Sequence, residues 1–250
     1  TKMYDFRIKD YLGKAFEQYA KKWKTTNIQD FELETVSASA ILLAKKKYVL
    51  DLAWSEGVSF KAQEKIKAKG VEIVQSSTPV FARNRLKGLL KHLFREKKEL
   101  NMKNFVGELK KLKIDFMNSD INDISFGSSV GDYEKGIGND TTKLEVLPHC
   151  PIHVRGSGYH NYLINQSPKI KKKYSLIKTG DKVKFYHATD DFGKPIVFAY
   201  LPGNLPYEIA PDVNYELQFQ KAIIDPLNRF IDALGFQQLG SNLIISKQLF

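Results

Sequence analysis

Cysteine is almost absent from this chain, and long apolar segments are missing. Its 250 residues include one cysteine, Cys150, which excludes an intramolecular disulfide framework and a zinc site made of several cysteines. No run of about 18 apolar residues is present, so no segment is expected to cross a membrane. The N-terminal sequence TKMYDFRIKD lacks the pattern of a secretory signal. We therefore expect a cytoplasmic protein with no membrane partner.

Motifs of common catalytic centres are also missing. The sequence contains no GxxxxGK[ST] phosphate loop, no GxSxG nucleophile motif and no HExxH metal motif. Its acidic pairs lie in loop-like segments, and its histidines lack carboxylates or cysteines at the spacing of metal ligands. The acidic pairs are Asp120 with Asp123 and Asp190 with Asp191, and the histidines are His149, His153 and His160. We therefore expect no catalytic residue, metal site or cofactor in this chain.

Positive charge and apolar residues are both abundant. Lysine and arginine number 39 against 28 acidic residues, which gives a formal net charge of +11 at pH 7. Such an excess favours nucleic acid as the partner, with an anionic membrane surface in second place. Hydrophobic residues make up 42% of the chain and aromatic residues 12%, which is enough for a sizeable core.

The spacing of apolar residues predicts an α+β fold with two domains. Residues 1–74 are expected to form a small strand-rich domain, in which FELETVSASAILLAKKKYVLDLAW supplies two strands. Residues 75–250 are expected to form a mostly helical domain with a short β-hairpin, made of KVKFYHA and PIVFAYL. Two helical segments should bury one apolar stripe each. Those stripes are Leu86, Leu89, Leu90, Leu93 and Phe94, and then Phe105, Leu109, Leu112 and Phe116.

Helix boundaries in the second domain follow from its prolines and glycines. Thr78 followed by Pro79 is typical of a helix start, with the threonine as N-cap. Residues 119–150 contain four glycines and several Asp and Asn residues, which favours a loop. The last helix is expected to bend or break at Pro226.

The first helix should present an apolar face with four large aromatic side chains. They are Tyr11, Phe16, Tyr19 and Trp23, at helical spacing. This face could dock a partner protein, or it could pack within the chain itself.

A cluster of lysines interrupts the strand pair. Lys45, Lys46 and Lys47 precede Tyr48 in an otherwise apolar segment. In a continuous strand Lys46 and Tyr48 would share one face, where they could contact the phosphates and sugars of DNA. The alternative is a solvated strand end.

Two further segments could contact phosphate. Lys65, Lys67 and Lys69 alternate before Gly70, which places several ammonium groups on one face. Ser76 and Ser77 precede the predicted helix, whose first N–H groups could hold a phosphate. A solvated surface and simple helix capping are the respective alternatives.

The segment LPHCPIHVRGSGYHNYLI combines donors with small residues. Arg155 offers a bidentate donor that suits phosphate, and His153 offers a smaller one. Gly156 and Gly158 would let a nucleic-acid backbone approach closely. The alternative is a buried histidine beside a structural arginine.

Five segments, in order, resemble the C-terminal part of family B DNA polymerases, particularly the replicative polymerases of tailed bacteriophages. LLAKKKYVLDLAW is similar to the KKxY segment at the end of the palm, and KIKAKGVEIVQSSTP to the stretch that joins palm and thumb. ISFGSSVGDYEKG resembles a thumb loop usually written FPRGVN, although Gly127 and Ser128 replace its Pro and Arg. PIHVRG and LPYEIAPDVNYELQFQKAIIDPLNRFIDALGF resemble thumb motifs. The resemblance covers roughly residues 30 to 250.

This resemblance implies a thumb that grips primer–template DNA and, most simply, a split enzyme, although a fragment of a longer polymerase would have the same sequence. The family's catalytic motifs, DxxSLYP and YxDTD, are absent from this sequence. The resemblance implies that a partner polypeptide supplies them, together with the fingers and the 3′→5′ exonuclease, and that Mg²⁺ binds in that partner's active site. The chain alone would then be inactive, and its compartment would be the host cytoplasm if it is viral.

The implied DNA contacts are Lys45, Lys46, Tyr48, Lys65, Lys67, Ser76, Ser77, His153, Arg155 and Gly156. Phage polymerases of this kind also end in a short apolar peptide that binds a sliding clamp, which here would be Leu249 and Phe250.

Two alternatives to a polymerase function remain. One is a stand-alone DNA-binding protein derived from a polymerase thumb, and the other is a nuclease that uses Asp120, Asp123 and nearby histidines.

Overall fold

The computed structural model describes residues 2–27, 32–96, 100–138, 143–240 and 243, and the side chains from residue 7 onwards. The fold is a mixture of helices and antiparallel strands, which confirms the predicted α+β class. The chain divides into two compact units. The first comprises residues 1–40 and 50–67, and the second comprises residues 41–49 and 68–250. Within the described ranges, no helix is both long enough and apolar enough to cross a bilayer.

The first helix, α1, spans Lys2–Trp23 and carries ion pairs one turn apart along its surface. Lys14 Nζ lies 2.8 Å from Asp10, and Lys21 Nζ lies 3.3 Å from Glu17. Such pairs support an exposed helix by a few tenths of a kcal/mol each.

The first sheet has four strands in which β2 is central. They are β1 (Thr35–Ala44), β2 (Lys47–Ser55), β3 (Val58–Ser59) and β4 (Ile66–Lys69). The order is β1-β2-β3, and β4 also pairs with β2. The two predicted strands are confirmed, and the chain reverses between them at Lys45 and Lys46. A buried carboxylate, Asp51, accepts a hydrogen bond from the backbone N–H of Gln63 at 2.8 Å.

Two long helices open the larger part of the second unit. They are α2 (Val80–Glu96) and α3 (Met102–Met117), and every residue of the two predicted stripes is buried. The side chain of Asn101 caps α3 by accepting the N–H of Asn104 at 3.2 Å. Phe116 on α3 packs edge-to-face against Phe81 on α2, with ring centroids 5.4 Å apart.

The second sheet contains three antiparallel strands. After the short helix α4 (Ile121–Ile124) come β5 (Phe126–Ser129), β6 (Lys182–Thr189) and β7 (Pro195–Tyr200), in the order β5-β6-β7. The predicted β6–β7 hairpin is confirmed, whereas α4 and β5 lie inside the segment predicted as a loop. The helices α5 (Ile152–Asn165) and α6 (Pro168–Lys173) connect β5 to β6, and α5 packs on β7.

The last helical segment continues through Pro226, and its α-helical geometry changes to a π-helical turn just before that residue. It consists of α7 (Tyr215–Phe219), a π-helical turn (Gln220–Ile224) and α8 (Asp225–Ala233), with Pro226 in the first turn of α8. Proline has no N–H for the α-helical ladder, and the wider turn directly before it accommodates that loss.

Candidate nucleic-acid interface

The lysine cluster forms the tip of the β1–β2 hairpin. Lys45 and Lys46 make the turn, and Lys46 has a left-handed backbone with φ of 63°. The prediction that Lys46 and Tyr48 share a strand face is therefore wrong, because Lys46 does not belong to a strand. Lys45, Lys46 and Lys47 are exposed at this tip, and Tyr48 is half-buried at the start of β2.

Gly70 packs closely against the backbone of the hairpin tip. Its φ is +67°, and a Cβ atom at this position would collide with the carbonyl oxygen of Lys46. Only glycine combines that backbone conformation with so close an approach. The hairpin lysines are therefore fixed next to the segment that leads into α2.

Ser76 and Ser77 lie in a turn before α2 rather than at its first N–H groups. The helix begins at Val80, and the N–H of Thr78 donates to Gln75 O at 3.2 Å. Ser77 O accepts the N–H of Gly127 at 2.9 Å, which ties this turn to β5. The expected phosphate cradle at a helix N-terminus is therefore not formed by these serines, although both remain exposed.

The residues of the HVRG segment lie on helix α5 and differ in their exposure to solvent. Arg155 is exposed, whereas His153 is half-buried with its ring 6.1 Å from that of Phe185. Burial lowers the pKa of His153, which favours its neutral form. Gly156 is buried, and a Cβ atom there would lie 3.0 Å from Ala199 N. Gly156 therefore admits β7 rather than a DNA backbone, which corrects that prediction.

Lys65 and Lys67 belong to the first unit and already have partners there. Lys67 forms an ion pair with Glu34, and Lys65 Nζ lies 4.7 Å from the centroid of the Phe60 ring. Both interactions leave the lysines at the surface, where they are worth at most about 1 kcal/mol each.

Three adjoining cavities of the second unit form what we call the long groove. The first, about 570 Å³, is lined by Lys47 from the hairpin tip together with Glu72 and Arg229. The second, about 380 Å³, shares Glu72 and Arg229 with the first and adds Ser77.

The third cavity, about 400 Å³, extends the long groove to α5. It shares Ile152 and His187 with the second cavity and adds Arg155. Three segments singled out in the sequence therefore line one surface. They are the hairpin lysines, the serine turn before α2 and the HVRG segment.

Charges in the long groove alternate in sign. Arg229 pairs with Glu72, and Lys221 Nζ lies 2.9 Å from Asp225. Lys47 and Arg155, by contrast, have no ion pair within the described ranges, so each is available to an anion. The long groove therefore offers one cation without an ion pair at each end, Lys47 in a cavity that Asp232 also lines and Arg155 in a cavity that Asp190 also lines, and paired charges between them.

His187 and Lys221 lie between those ends. Burial lowers the pKa of His187, and the nearby Lys221 lowers it further. Lys221 belongs to the π-helical turn, a feature that often accompanies functional sites. His187 was missed in the sequence because it sits inside an otherwise regular strand, and no local pattern distinguishes it.

The aromatic face of α1 is largely exposed. Tyr11, Tyr19 and Trp23 are 72%, 61% and 70% accessible, so they are not buried by the described chain.

The predicted clamp-binding residues Leu249 and Phe250 lie outside the described residues. Among the residues that are described, no cluster of three or more His, Cys, Asp or Glu side chains could hold a metal ion.

No protein-family model matches the chain, and no curated protein matches it.

Proposed function

We propose that this chain forms the end of the palm and the thumb of a family B DNA polymerase, and that it grips the primer–template duplex. In this proposal the catalytic aspartates, the fingers, the exonuclease and the bound Mg²⁺ ions belong to a part of the polymerase outside these 250 residues. The proposal rests on the polymerase-like motifs in the sequence and on their arrangement in the fold.

One observation carries the proposal: Lys47, Ser77 and Arg155 line the same groove. They come from three motifs that are far apart in the sequence and that resemble three separate segments of the polymerase. A convergence of this kind is expected if the motifs share one extended ligand.

The chemistry of the long groove suits a nucleic-acid backbone. Arg155 can donate two parallel hydrogen bonds to a phosphate, and the hairpin lysines can act as point charges. Contacts of this type position a duplex without reading its sequence, which a polymerase requires. Lys221 and Arg229 can contribute once a phosphate displaces Asp225 or Glu72 from either pair.

Primer extension tests the proposal. The reaction contains Mg²⁺, all four nucleotides and a primer–template, with this chain alone and then with a polymerase segment that carries the catalytic motifs. Extension only in the mixture is the expected result. No extension in the mixture, with duplex binding intact, would replace the proposal with a stand-alone DNA-binding function.

A variant at the hairpin tip sharpens the test. Lys46→Gly removes the ammonium group and suits the left-handed backbone, so the turn is retained. We expect slower extension with unchanged assembly of the two polypeptides. The control variant is Lys24→Gly, because Lys24 is exposed and also has a positive φ of 52°. Lys87→Gly would be a poor control, because it would weaken α2.

A further inference from the structure

A second concave basic surface lies away from the long groove. It encloses about 540 Å³ and combines residues from α6, from the loop after it and from the end of β7. We call this surface the basic cup. Its cations are Lys171, Lys172, Lys173 and Lys178, and its other walls include Tyr174 and Leu201.

Three of the four lysines are free to bind an anion. Lys173 is paired with Glu208, which also accepts a hydrogen bond from the Tyr174 hydroxyl. These two donors lower the pKa of Glu208 to about 2, so the pair stays ionised at neutral pH. Lys171, Lys172 and Lys178 form no ion pair with any part of the chain that the structure describes.

The one carboxylate on the rim is already engaged. Asp181 Oδ2 accepts the backbone N–H of Lys178 at 2.8 Å, which fixes the turn that presents the lysine. The basic cup therefore retains a net positive charge of about two after Asp181 is counted against the three free lysines.

The backbone beneath the lysines is held in place. Asn161 on α5 exchanges two hydrogen bonds of 2.8 Å with Ile177, and His160 Nε2 lies 3.2 Å from Ser175 O. Because both anchors are buried, the loop that carries Lys178 is preorganised rather than free to collapse.

The basic cup and Arg155 lie at opposite ends of β7. Ile196, near the start of β7, lines the cavity that contains Arg155, and Leu201, just past its end, lines the basic cup. A strand rises about 3.3 Å per residue, so these two positions are roughly 17 Å apart.

We propose that the basic cup is a second binding site for the phosphodiester backbone of nucleic acid, separate from the long groove. Its free ammonium groups supply the charge, and its preorganised loop reduces the entropy lost on binding. The inference does not depend on polymerase activity, because it requires only that the chain binds DNA.

A lipid surface fits the basic cup less well. Membrane-surface binding needs apolar side chains that insert beside the cations. Here Tyr174 is buried and its hydroxyl is engaged by Glu208, while Leu176 and Leu201 are only partly accessible. A backbone of phosphates, which needs charge without an apolar anchor, is the better match.

The test compares two triple variants that change the net charge equally. The first, Lys171→Glu/Lys172→Glu/Lys178→Glu, reverses the charge of the basic cup. The control, Lys87→Glu/Lys110→Glu/Lys111→Glu, reverses three exposed lysines of α2 and α3. Affinity for a 20-base-pair duplex is measured by fluorescence anisotropy from 50 to 300 mM salt, after circular dichroism has shown that both variants are folded.

We expect the slope of log affinity against log salt to fall by about two to three for the basic-cup variant and by less than one for the control. Equal slopes for the two variants would overturn the inference, since the effect would then be one of net charge alone. Preferential loss of binding to phosphatidylserine vesicles, with duplex binding equal to that of the control, would overturn it in favour of a membrane surface. Absence of duplex binding by the wild-type chain would overturn both this inference and the proposed function. Equal slopes for the two variants would overturn this inference alone.

Discussion

Asn161 and Ile177 exchange a reciprocal pair of buried hydrogen bonds. The Asn161 amide donates to Ile177 O, its carbonyl oxygen accepts the Ile177 N–H, and both distances are 2.8 Å. The side chain thus replaces a neighbouring strand for one residue of the loop between α6 and β6. It fastens that loop to α5, the helix that also carries Arg155.

Replacement of Asn161 should therefore destabilise the second unit. Asn161→Ala leaves the N–H and the C=O of Ile177 without partners in a buried environment, so we expect the free energy of unfolding to fall by about 2–3 kcal/mol. Urea denaturation measures the change. Asn104→Ala is the control, because the Asn104 side chain is exposed on α3, and it should change stability by less than about 0.5 kcal/mol. Equal stability of the two variants would show that the reciprocal pair contributes nothing.

Gly156 should tolerate no side chain. A Cβ atom there would lie 3.0 Å from Ala199 N and 3.0 Å from Val197 Cγ1, and the backbone of β7 cannot easily move away. We expect Gly156→Ala to lower the free energy of unfolding by about 1–3 kcal/mol. Gly107→Ala provides the opposite case, because no atom lies within 4 Å of the new Cβ and alanine favours the helix α3. That variant should be as stable as the wild type or up to about 1 kcal/mol more stable; a gain in both variants would contradict the assigned packing.

Regular elements were predictable from local patterns. The apolar stripes of α2 and α3 and the β6–β7 hairpin follow from side-chain spacing. These signals act over a few residues, so the sequence contains them in full. The α+β class follows from the predicted helices and strands taken together.

Other features depend on contacts between distant segments. Gly156 was expected to admit DNA, but whether a small residue on α5 faces solvent or β7 is decided by packing of α5 on the sheet. The strand β5 was missed because Gly127 and two serines carry no strand propensity, and its pairing with β6 determines its structure. The turn at Lys45 and Lys46 lacks the usual Asn-Gly signal, so the sequence did not locate it.

The structure predicts a loss of stability in mild acid that depends on His160. Burial lowers the pKa of this histidine below its usual value near 6.5. The unfolded chain therefore binds a proton at His160 more readily than the folded chain does. The contribution of His160 to stability is fully present above about pH 7.5 and is lost as the pH drops through 6.5 towards the lowered folded pKa. We expect a lower Tm at pH 5.5 than at pH 7.5.

A non-titrating side chain at this position should reduce that difference. His160→Gln removes the titrating group, so the fall in Tm between pH 7.5 and pH 5.5 should become smaller even if the variant is less stable overall. His153 and His187, whose pKa values are also lowered by burial, should account for the remainder. His149→Asn controls for the loss of an exposed histidine at a positive φ. An unchanged pH dependence in His160→Gln would exclude this residue as a source of acid sensitivity.

Arg155 should contribute to DNA binding without contributing to sequence preference. Because Arg155→Ala removes one phosphate donor from the long groove, we expect the slope of log affinity against log salt to fall by about one, equally for duplexes of different sequence. Arg95→Ala is the matched control, since Arg95 is an exposed arginine at the end of α2 and forms no ion pair within the described residues. A loss that varied with sequence would indicate contact with base edges, and an equal effect of both variants would indicate a general effect of charge. Combining Arg155→Ala with the basic-cup variant should add the two slope changes, because the two cavities have no lining residue in common.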